Sequence, residues 1–415
     1  MKEKSISSRI DKVLWLLVTI LPLIIIPIKG IPDIFNVAKA PVLALSSGYV
    51  LYLLFKFGKF QPGIETKALM GYLILVFIAS LTAYKPLLAL TGVSLTAGRF
   101  EGFITLFFYV VLFYAARQHM RISEKNVLFF IIVQSIIAAY AIAQFFMIDP
   151  LVEYFNYTKG SYATIGNQNF LASWALMLLV FASGFYMKQR KLIYLIFPAL
   201  FFGALLASNT RGCWLALMVV ILVSLYFLKF SKLRISYFAV LGSFLLVFLT
   251  MNFLSKSKIQ HRTKTIKSEL DINNEWAGSG RALIWKMSYD IVHEHPFLGA
   301  GPENLKEALK QTKNKRAQQY GKLTGHTVDK AHNDFLHIAA VSGVPALLIY
   351  IFFILVIFVK QAKNFAFGSA KSVLALALLA YLLQSLFNIS VISVAPLFWV
   401  FLGLFASDNA RFTVN

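Results

Sequence analysis

Long apolar runs recur along the whole chain, and short clusters of lysine and arginine separate them. A helix needs about 20 mostly apolar residues to cross a bilayer, and this template predicts twelve spans in the sequence. The pattern is typical of an all-α polytopic membrane protein. The spans are expected near residues 13–28, 35–55, 68–83, 102–116, 127–147, 170–187, 192–208, 213–228, 235–253, 335–359, 372–387 and 391–406.

The composition excludes a water-soluble fold. Hydrophobic residues make up 58% of the 415 residues, charged residues 14%, and the mean hydropathy is +0.70, whereas soluble domains contain about 25% charged residues. The first apolar stretch is interrupted by Pro22 and Pro27 and lacks a small-residue cleavage pattern, so we interpret it as a span rather than a cleaved signal. The only cysteine, Cys213, forbids an internal disulfide and any cysteine-based metal cluster.

The distribution of lysine and arginine between the short loops predicts the orientation, because these residues accumulate on the cytoplasmic side. Twenty basic residues fall on the face that carries both termini, and five fall in the opposite short loops. Both termini are therefore expected in the cytoplasm, and the long segment after the ninth span is expected outside it. The five residues on the outer face are Lys29, Lys85, Arg99, Lys159 and Arg211.

This orientation divides the chain into three parts. Residues 1–253 carry helices 1–9, residues 254–334 form an extracytoplasmic (periplasmic) loop, and residues 335–415 carry helices 10–12. The loop holds fourteen basic and nine acidic residues. This excess of positive charge indicates either a solvated cap or a surface that attracts an anionic ligand. Nucleic acid is not an expected partner despite the net charge of +22, because the membrane partitions that charge.

Arg211 lies between two spans with almost no loop, at or just inside the outer membrane boundary. An arginine at that depth is costly and usually has a partner or a function. Snorkelling to lipid headgroups would explain it, and so would binding of phosphate, which the planar guanidinium holds through two parallel hydrogen bonds.

Within the long loop, Arg281 begins a stretch of helical spacing after Gly278-Ser-Gly280. Ser279 could cap this helix, and Ile284, Trp285 and Ser288 on one face suggest an amphipathic helix along the membrane surface. Arg281 is either an ordinary exposed charge or an anion ligand. The following His293 and His295 lack the spacing of a zinc site, so no metal is expected. The glycines Gly299 and Gly301 are typical of a turn that ends the helix.

His332, Asn333 and Asp334 form a polar cluster directly before the tenth apolar run. A histidine at this interface can act as a base near neutral pH. Alternatively, Asn333 or Asp334 caps the next helix and His332 has no role. The sequence contains no Asp-x-Asp pair, which metal-dependent sugar transfer would use. The remaining candidates are arginines and a histidine on one predicted face, and these suit a donor with an activated diphosphate leaving group.

The chain resembles the O-antigen ligase and O-antigen polymerase superfamily. The resemblance rests on Thr210-Arg-Gly-Cys-Trp214, Gly280-Arg-Ala-Leu-Ile-Trp285, His295-Pro-Phe-Leu-Gly-Ala-Gly301 and Ala331-His-Asn-Asp-Phe-Leu336, which occur in the right order. It implies a GT-C-like membrane glycosyltransferase, inverting and metal-independent and without a cofactor. Such an enzyme moves a glycan from undecaprenyl diphosphate to an acceptor hydroxyl in the bacterial inner (cytoplasmic) membrane.

By motif position, the resemblance makes Arg211 and Arg281 ligands of the diphosphate and His332 the base that activates the acceptor. It also implies that a second set of residues lines the same substrate cavity. This set comprises Arg99, Asn167, Asn169, Trp285 and Asn333.

The resemblance leaves the acceptor open. A ligase would transfer the glycan to lipid A core or another cell-surface acceptor, a polymerase would join lipid-linked repeat units, and a protein O-oligosaccharyltransferase would use a protein. Outside this class, a twelve-span transporter would depend on residues in the middle of its spans. A membrane acyltransferase would use His332 but gives no role to Arg211 and Arg281.

Overall fold

The computed structural model describes residues 2–28, 33–58, 60–93, 99–152, 160–229, 231–256, 259, 277–363, 366–408 and 412–413. The first ten helices are α1 Lys2–Ile20, α2 Asn36–Phe57, α3 Ile64–Leu81, α4 Pro86–Thr91, α5 Phe103–His119, α6 Glu124–Phe145, α7 Gln168–Gln189, α8 Ile196–Ala207, α9 Arg211–Leu228 and α10 Arg234–Leu254. They are followed by α11 Ala277–Glu294, α12 Leu305–Gln311, α13 Lys315–Thr324, α14 Asp334–Ser342, α15 Val344–Ala362, α16 Ala370–Ser385 and α17 Ala395–Ala406. Two short strands, β1 Ile122–Ser123 and β2 Phe412–Thr413, pair in parallel.

Seven helices of the described residues are long and apolar enough to cross a membrane, namely α2, α3, α6, α7, α9, α10 and α15. Shorter apolar helices occur at Phe103–His119, Leu192–Ala207, Ala370–Ser385 and Ala395–Ala406. The all-helical polytopic class is confirmed, while the number of twelve spans stays a prediction. The first span differs from its predicted range, because α1 ends at Ile20 and the chain continues through a short 3-10 turn that contains Pro22.

The tenth predicted span, 335–359, is two helices rather than one. Gly343 separates α14 from α15 with a φ of 87° and a ψ of 162°, a backbone conformation that is accessible almost only to glycine. The carbonyl group of Phe297 lies against the position that a side chain at Gly343 would occupy. The N–H of Val344 then donates to the carbonyl oxygen of Pro296 at 2.8 Å, so the segment after α11 is bonded directly to this break.

The centre of the bundle is α7. In its apolar stretch of 18 residues, 94% of the positions are buried, whereas in that of α10 at the periphery the share is 22%. A helix that is apolar on all sides is buried on all sides, and α7 packs against α8 and α16. Aromatic rings of α6 and α17 pack against those of α7, and the ring centroids of Phe181 and Phe401 are 4.7 Å apart. This core fixes the ends of the helices that carry the polar residues described below.

Loops that the sequence assigns to the same face contact one another. Arg117 forms an ion pair of 2.7 Å with Glu65 at one end of the bundle. At the other end, Lys85 pairs with Glu307 at 2.8 Å, which joins the α3–α4 loop to the segment after α11. The direction of the bundle relative to the cytoplasm stays a prediction.

The described part of the predicted 254–334 loop contains the helices α11, α12 and α13 with non-helical segments between and after them, and residues 257–258 and 260–276 lie outside the described residues. Helix α11 begins at Ala277, so Ser279 lies inside the helix, and its prediction as the cap is wrong. The apolar face of α11, with Met287 and Ile291 fully buried, packs against α12 and α14. This face therefore covers protein, where the sequence suggested a membrane surface.

Candidate active site

His332 lies in the segment that joins α13 to α14, and its backbone has a φ of 49°. Side chains other than glycine rarely adopt this left-handed conformation, and such residues cluster at functional sites. Asn333 is the cap of α14, because its Oδ1 atom accepts the N–H of Leu336 at 3.0 Å. The capping interpretation therefore holds for Asn333, and it places the His332 ring immediately before a fixed helix start.

The His332 imidazole is held neutral. Burial is the main reason that its pKa falls to about 4, and the cations of Arg281 and Arg99 lower the pKa further, while Asp329 opposes them. Its Nδ1 atom is buried without a hydrogen-bond partner among the described residues. A neutral imidazole with an open nitrogen can accept a proton from a bound hydroxyl.

Arg99 reaches the same place from the segment before α5. Its Nε donates to Oδ2 of Asp329 at 2.8 Å, and the two side chains are 30% and 31% exposed. Burial alone would raise the pKa of Asp329, but the cations of Arg99 and Lys330 outweigh it and hold that pKa below its usual value. Gly98, the start of the motif around Arg99, lies outside the described residues.

Arg281 lies in α11, four residues after its start. Its charge acts on His332 and also on Cys213, which is two residues beyond Arg211. Arg211 is the first residue of α9, after Thr210 at the N-cap position. The positive end of a helix dipole favours an anion, so Arg211 and the start of α9 both suit an anionic ligand.

The asparagines of the Gly166-Asn-Gln-Asn169 motif join the starts of α7 and α9. Asn167 caps α7 by accepting the N–H of Asn169 at 2.8 Å, and the Asn169 Oδ1 accepts the hydroxyl of Thr210 at 3.3 Å. Asn388 donates from Nδ2 to the carbonyl oxygen of Asn169 at 2.9 Å. These bonds fix the backbone from which Arg211 projects.

Trp285 lies on α11 one turn after Arg281. Its ring centroid is 6.3 Å from that of Phe387, and the Phe387 Cβ atom lies 3.1 Å from the position that a Cβ at Gly212 would take. The indole Nε1 of Trp285 is buried without a partner among the described residues. The Trp285 side chain therefore adjoins the first turn of α9 with an unused donor.

Several buried polar residues near the site escaped the sequence reasoning. Lys330 pairs with Glu303 at 2.7 Å, and these side chains are only 3% and 5% exposed. Glu101 accepts the hydroxyl of Tyr109 at 2.6 Å and that of Ser390 at 3.0 Å, and burial raises the pKa of Glu101 to about 7. In the sequence, these residues stand near the motifs but look like ordinary surface charges. Only the structure shows that they pair with residues from distant segments.

Residues 196–351 match the family model described as O-Antigen ligase. This segment is less than half of the chain, and it contains Arg211, Arg281 and His332 but neither Arg99 nor the asparagines of α7. A search of curated proteins gave no match. The match to the family model confirms the resemblance to the O-antigen ligase and polymerase superfamily. The family match and the apolar helices together indicate a multi-pass membrane protein with an O-antigen ligase or polymerase type of function.

Proposed function

We propose that the chain is a lipid-linked oligosaccharide glycosyltransferase of the bacterial inner membrane, with its site facing away from the cytoplasm. It moves a glycan from undecaprenyl diphosphate to an acceptor hydroxyl. The observation that carries the proposal is a partly buried, neutral histidine, His332, that the charges of Arg281 and Arg99 influence, with Arg99 paired to Asp329 three residues before it. Cations beside a neutral base are what a reaction with a diphosphate leaving group requires.

In the proposed reaction, the acceptor oxygen attacks the anomeric carbon while His332 takes the hydroxyl proton. The bond between that carbon and the diphosphate oxygen breaks, and the lipid diphosphate leaves with the electron pair. Arg211 and Arg281 stabilise the charge that develops on the diphosphate, as preorganised cations do in a water-poor site. Attack on the face opposite the leaving group inverts the anomeric configuration, and no metal ion or cofactor takes part.

Arg99 is engaged by Asp329 in this structure, so a diphosphate that binds Arg99 must compete with that carboxylate. Binding would neutralise the cations that lower the pKa of His332. The base then becomes stronger when the donor is present, because loss of nearby positive charge favours the imidazolium form. This coupling favours donor binding before proton transfer.

We favour a ligase whose acceptor is lipid A core or a comparable surface glycolipid. A polymerase would use the same donor chemistry and a lipid-linked glycan as acceptor, and a protein O-oligosaccharyltransferase would use a protein hydroxyl. Trp285 and Asn169 border the donor side in this scheme, with Trp285 offering its free Nε1 to a sugar hydroxyl. Asn167 and Asn333 support the site as helix caps.

The test is transfer in vitro from a panel of undecaprenyl-diphosphate glycans with EDTA present. The wild type is compared with His332→Ala and Arg281→Ala, and with Lys286→Ala as a control on the exposed side of α11. Transfer to lipid A core that only the first two variants lose supports the ligase, and elongation of the donor supports the polymerase. Full activity in His332→Ala, or no consumption of any donor, refutes the glycosyltransferase.

A further inference from the structure

The segment that carries His332 is fixed on both sides by residues from other parts of the chain. After His332, Asn333 caps α14. Before it, the Nζ atom of Lys330 donates to Oε1 of Glu303 at 2.7 Å and lies 3.3 Å from Nε2 of His337 on α14. His332 therefore adopts its left-handed backbone between two anchored neighbours.

Glu303 is itself held rigidly. Its backbone is also left-handed, with a φ of 58°, and the preceding turn is bonded to α14 by the N–H of Gly301, which donates to the carbonyl oxygen of Val341 at 2.8 Å. The next residue, Asn304, accepts the N–H of Lys85 at 2.8 Å. The carboxylate of Glu303 is thus presented from a turn that two other elements fix in place.

An ion pair this deeply buried contributes little net stability, because the cost of removing both charges from water offsets their attraction. Buried pairs of this kind are instead candidates for fixing one specific geometry. Backbone strain at His332 and at Glu303 persists only where the surroundings enforce it, and the pair joins the two strained segments directly.

We propose that Glu303 and Lys330 are positioning residues for His332, and that their buried ion pair holds the imidazole where the acceptor hydroxyl binds. The proposal rests on the proposed function, in which His332 is the base. Neither side chain contacts the substrate in this scheme. Loss of the pair lets His332 relax from its left-handed conformation and moves the imidazole away from the reacting hydroxyl.

A merely structural pair would change stability without changing catalysis, so the test separates the two. The variants are Lys330→Met, Lys330→Arg and Glu303→Gln. The control is Arg316→Met, which breaks the more exposed ion pair of 2.7 Å between Arg316 and Asp290 in the same loop. For each variant we would measure kcat, the donor KM and the midpoint of thermal unfolding in detergent.

A displacement of about 1 Å can lower a rate about 100-fold, so kcat should fall by about that factor in Lys330→Met and in Glu303→Gln. The donor KM should stay within about threefold, since the arginines that bind the diphosphate are intact. Lys330→Arg keeps the charge and should recover kcat to within about tenfold of the wild type. Arg316→Met should leave kcat within about twofold, as exposed pairs contribute little.

The pH profile gives a second readout. The charged groups that act on His332 are Arg281 from α11, Arg99 from the segment before α5, and Asp329 and Lys330 from its own segment. Lys330→Met removes one cation, so the pKa of His332 should rise. The acidic limb of kcat/KM should then move to higher pH, and Arg316→Met should leave it in place.

Wild-type kcat in both Lys330→Met and Glu303→Gln would overturn the positioning role. A loss in Lys330→Met alone would also overturn it, because the pair would not be the anchor. If Lys330→Met does not fold, Glu303→Gln and Lys330→Arg test the positioning role instead. The criterion stays the same: a lower kcat in Glu303→Gln with an almost unchanged donor KM, and a largely recovered kcat in Lys330→Arg. Full activity of His332→Ala would instead refute the proposed function itself.

Discussion

Replacing Arg281 by methionine removes the cation that, after burial, lowers the pKa of His332 most. Under the proposed mechanism the same side chain binds the donor diphosphate. The substitution should therefore have two opposite consequences: the donor binds more weakly, and His332 becomes a stronger base. Few alternative roles of Arg281 predict both results.

The magnitude follows from the pKa values. A fall in the pKa of His332 from 6.5 to about 4 corresponds to about 3 kcal/mol at about 1.4 kcal/mol per pKa unit. Burial accounts for the largest share of it and persists in the variant, so removing the Arg281 cation should raise the pKa by on the order of one unit. Loss of a charge-assisted bidentate contact should weaken donor binding about 10- to 100-fold.

The assay is transfer from the undecaprenyl-diphosphate donor between pH 4 and 8, with kcat/KM plotted against pH. Since the base works only when neutral, activity falls below its pKa, and the acidic limb should lie about one pH unit higher in Arg281→Met than in the wild type. Lys286→Met, an exposed change on the same helix, is the control. A carbon-13 histidine titration by NMR of the seven histidines would measure the pKa of His332 without turnover. An unchanged limb together with an unchanged donor KM would refute the reasoning.

Three further changes test separate parts of the structure. Asp329→Asn releases Arg99 from its ion pair and should tighten donor binding about three- to tenfold by calorimetry; unchanged affinity would mean that Arg99 does not meet the donor. Gly343→Ala introduces a side chain at a φ of 87° and should destabilise the protein by about 1–3 kcal/mol in thermal unfolding, whereas Gly242→Ala, with open space around it, should not. Trp285→Phe keeps an aromatic ring but removes the unused Nε1 donor and should raise the KM for donor or acceptor about fivefold, and a wild-type KM would place the glycan elsewhere.

The membrane class follows from the sequence because the length and apolarity of a span are local properties that a window of about 20 residues contains. The break at Gly343 does not follow from the sequence, because apolar residues continue on both sides of it. The glycine is required by the carbonyl group of residue 297, more than forty positions earlier in the chain. In the same way, the face of α11 shows its apolar pattern in the sequence but not whether lipid or protein covers it.

The motif residues of the site could be found because they stand next to one another within short segments. The Glu303–Lys330 pair could not, because its two members are 27 positions apart and each looks like one of many charges in a basic loop. The resemblance supplied Arg211, Arg281 and His332, and it did not supply the residues that hold the histidine. Whether Arg211, Arg281 and His332 act together in catalysis stays a prediction that the variants above test.

The bonds between the segment after α11 and the break at Gly343 also bear on how this protein can be recombined with its relatives. The hydropathy pattern delimits residues 254–334 as a single loop between two predicted spans. In the structure, the backbone of residues 296–301 interlocks with that of residues 340–344 through close glycine contacts and hydrogen bonds. A chimera cut at position 334 would divide that interlock between two parents, whereas one cut after position 344 would carry both halves from the same parent. The structural unit that a chimera must keep together is therefore longer than the loop and extends into the helix that follows it.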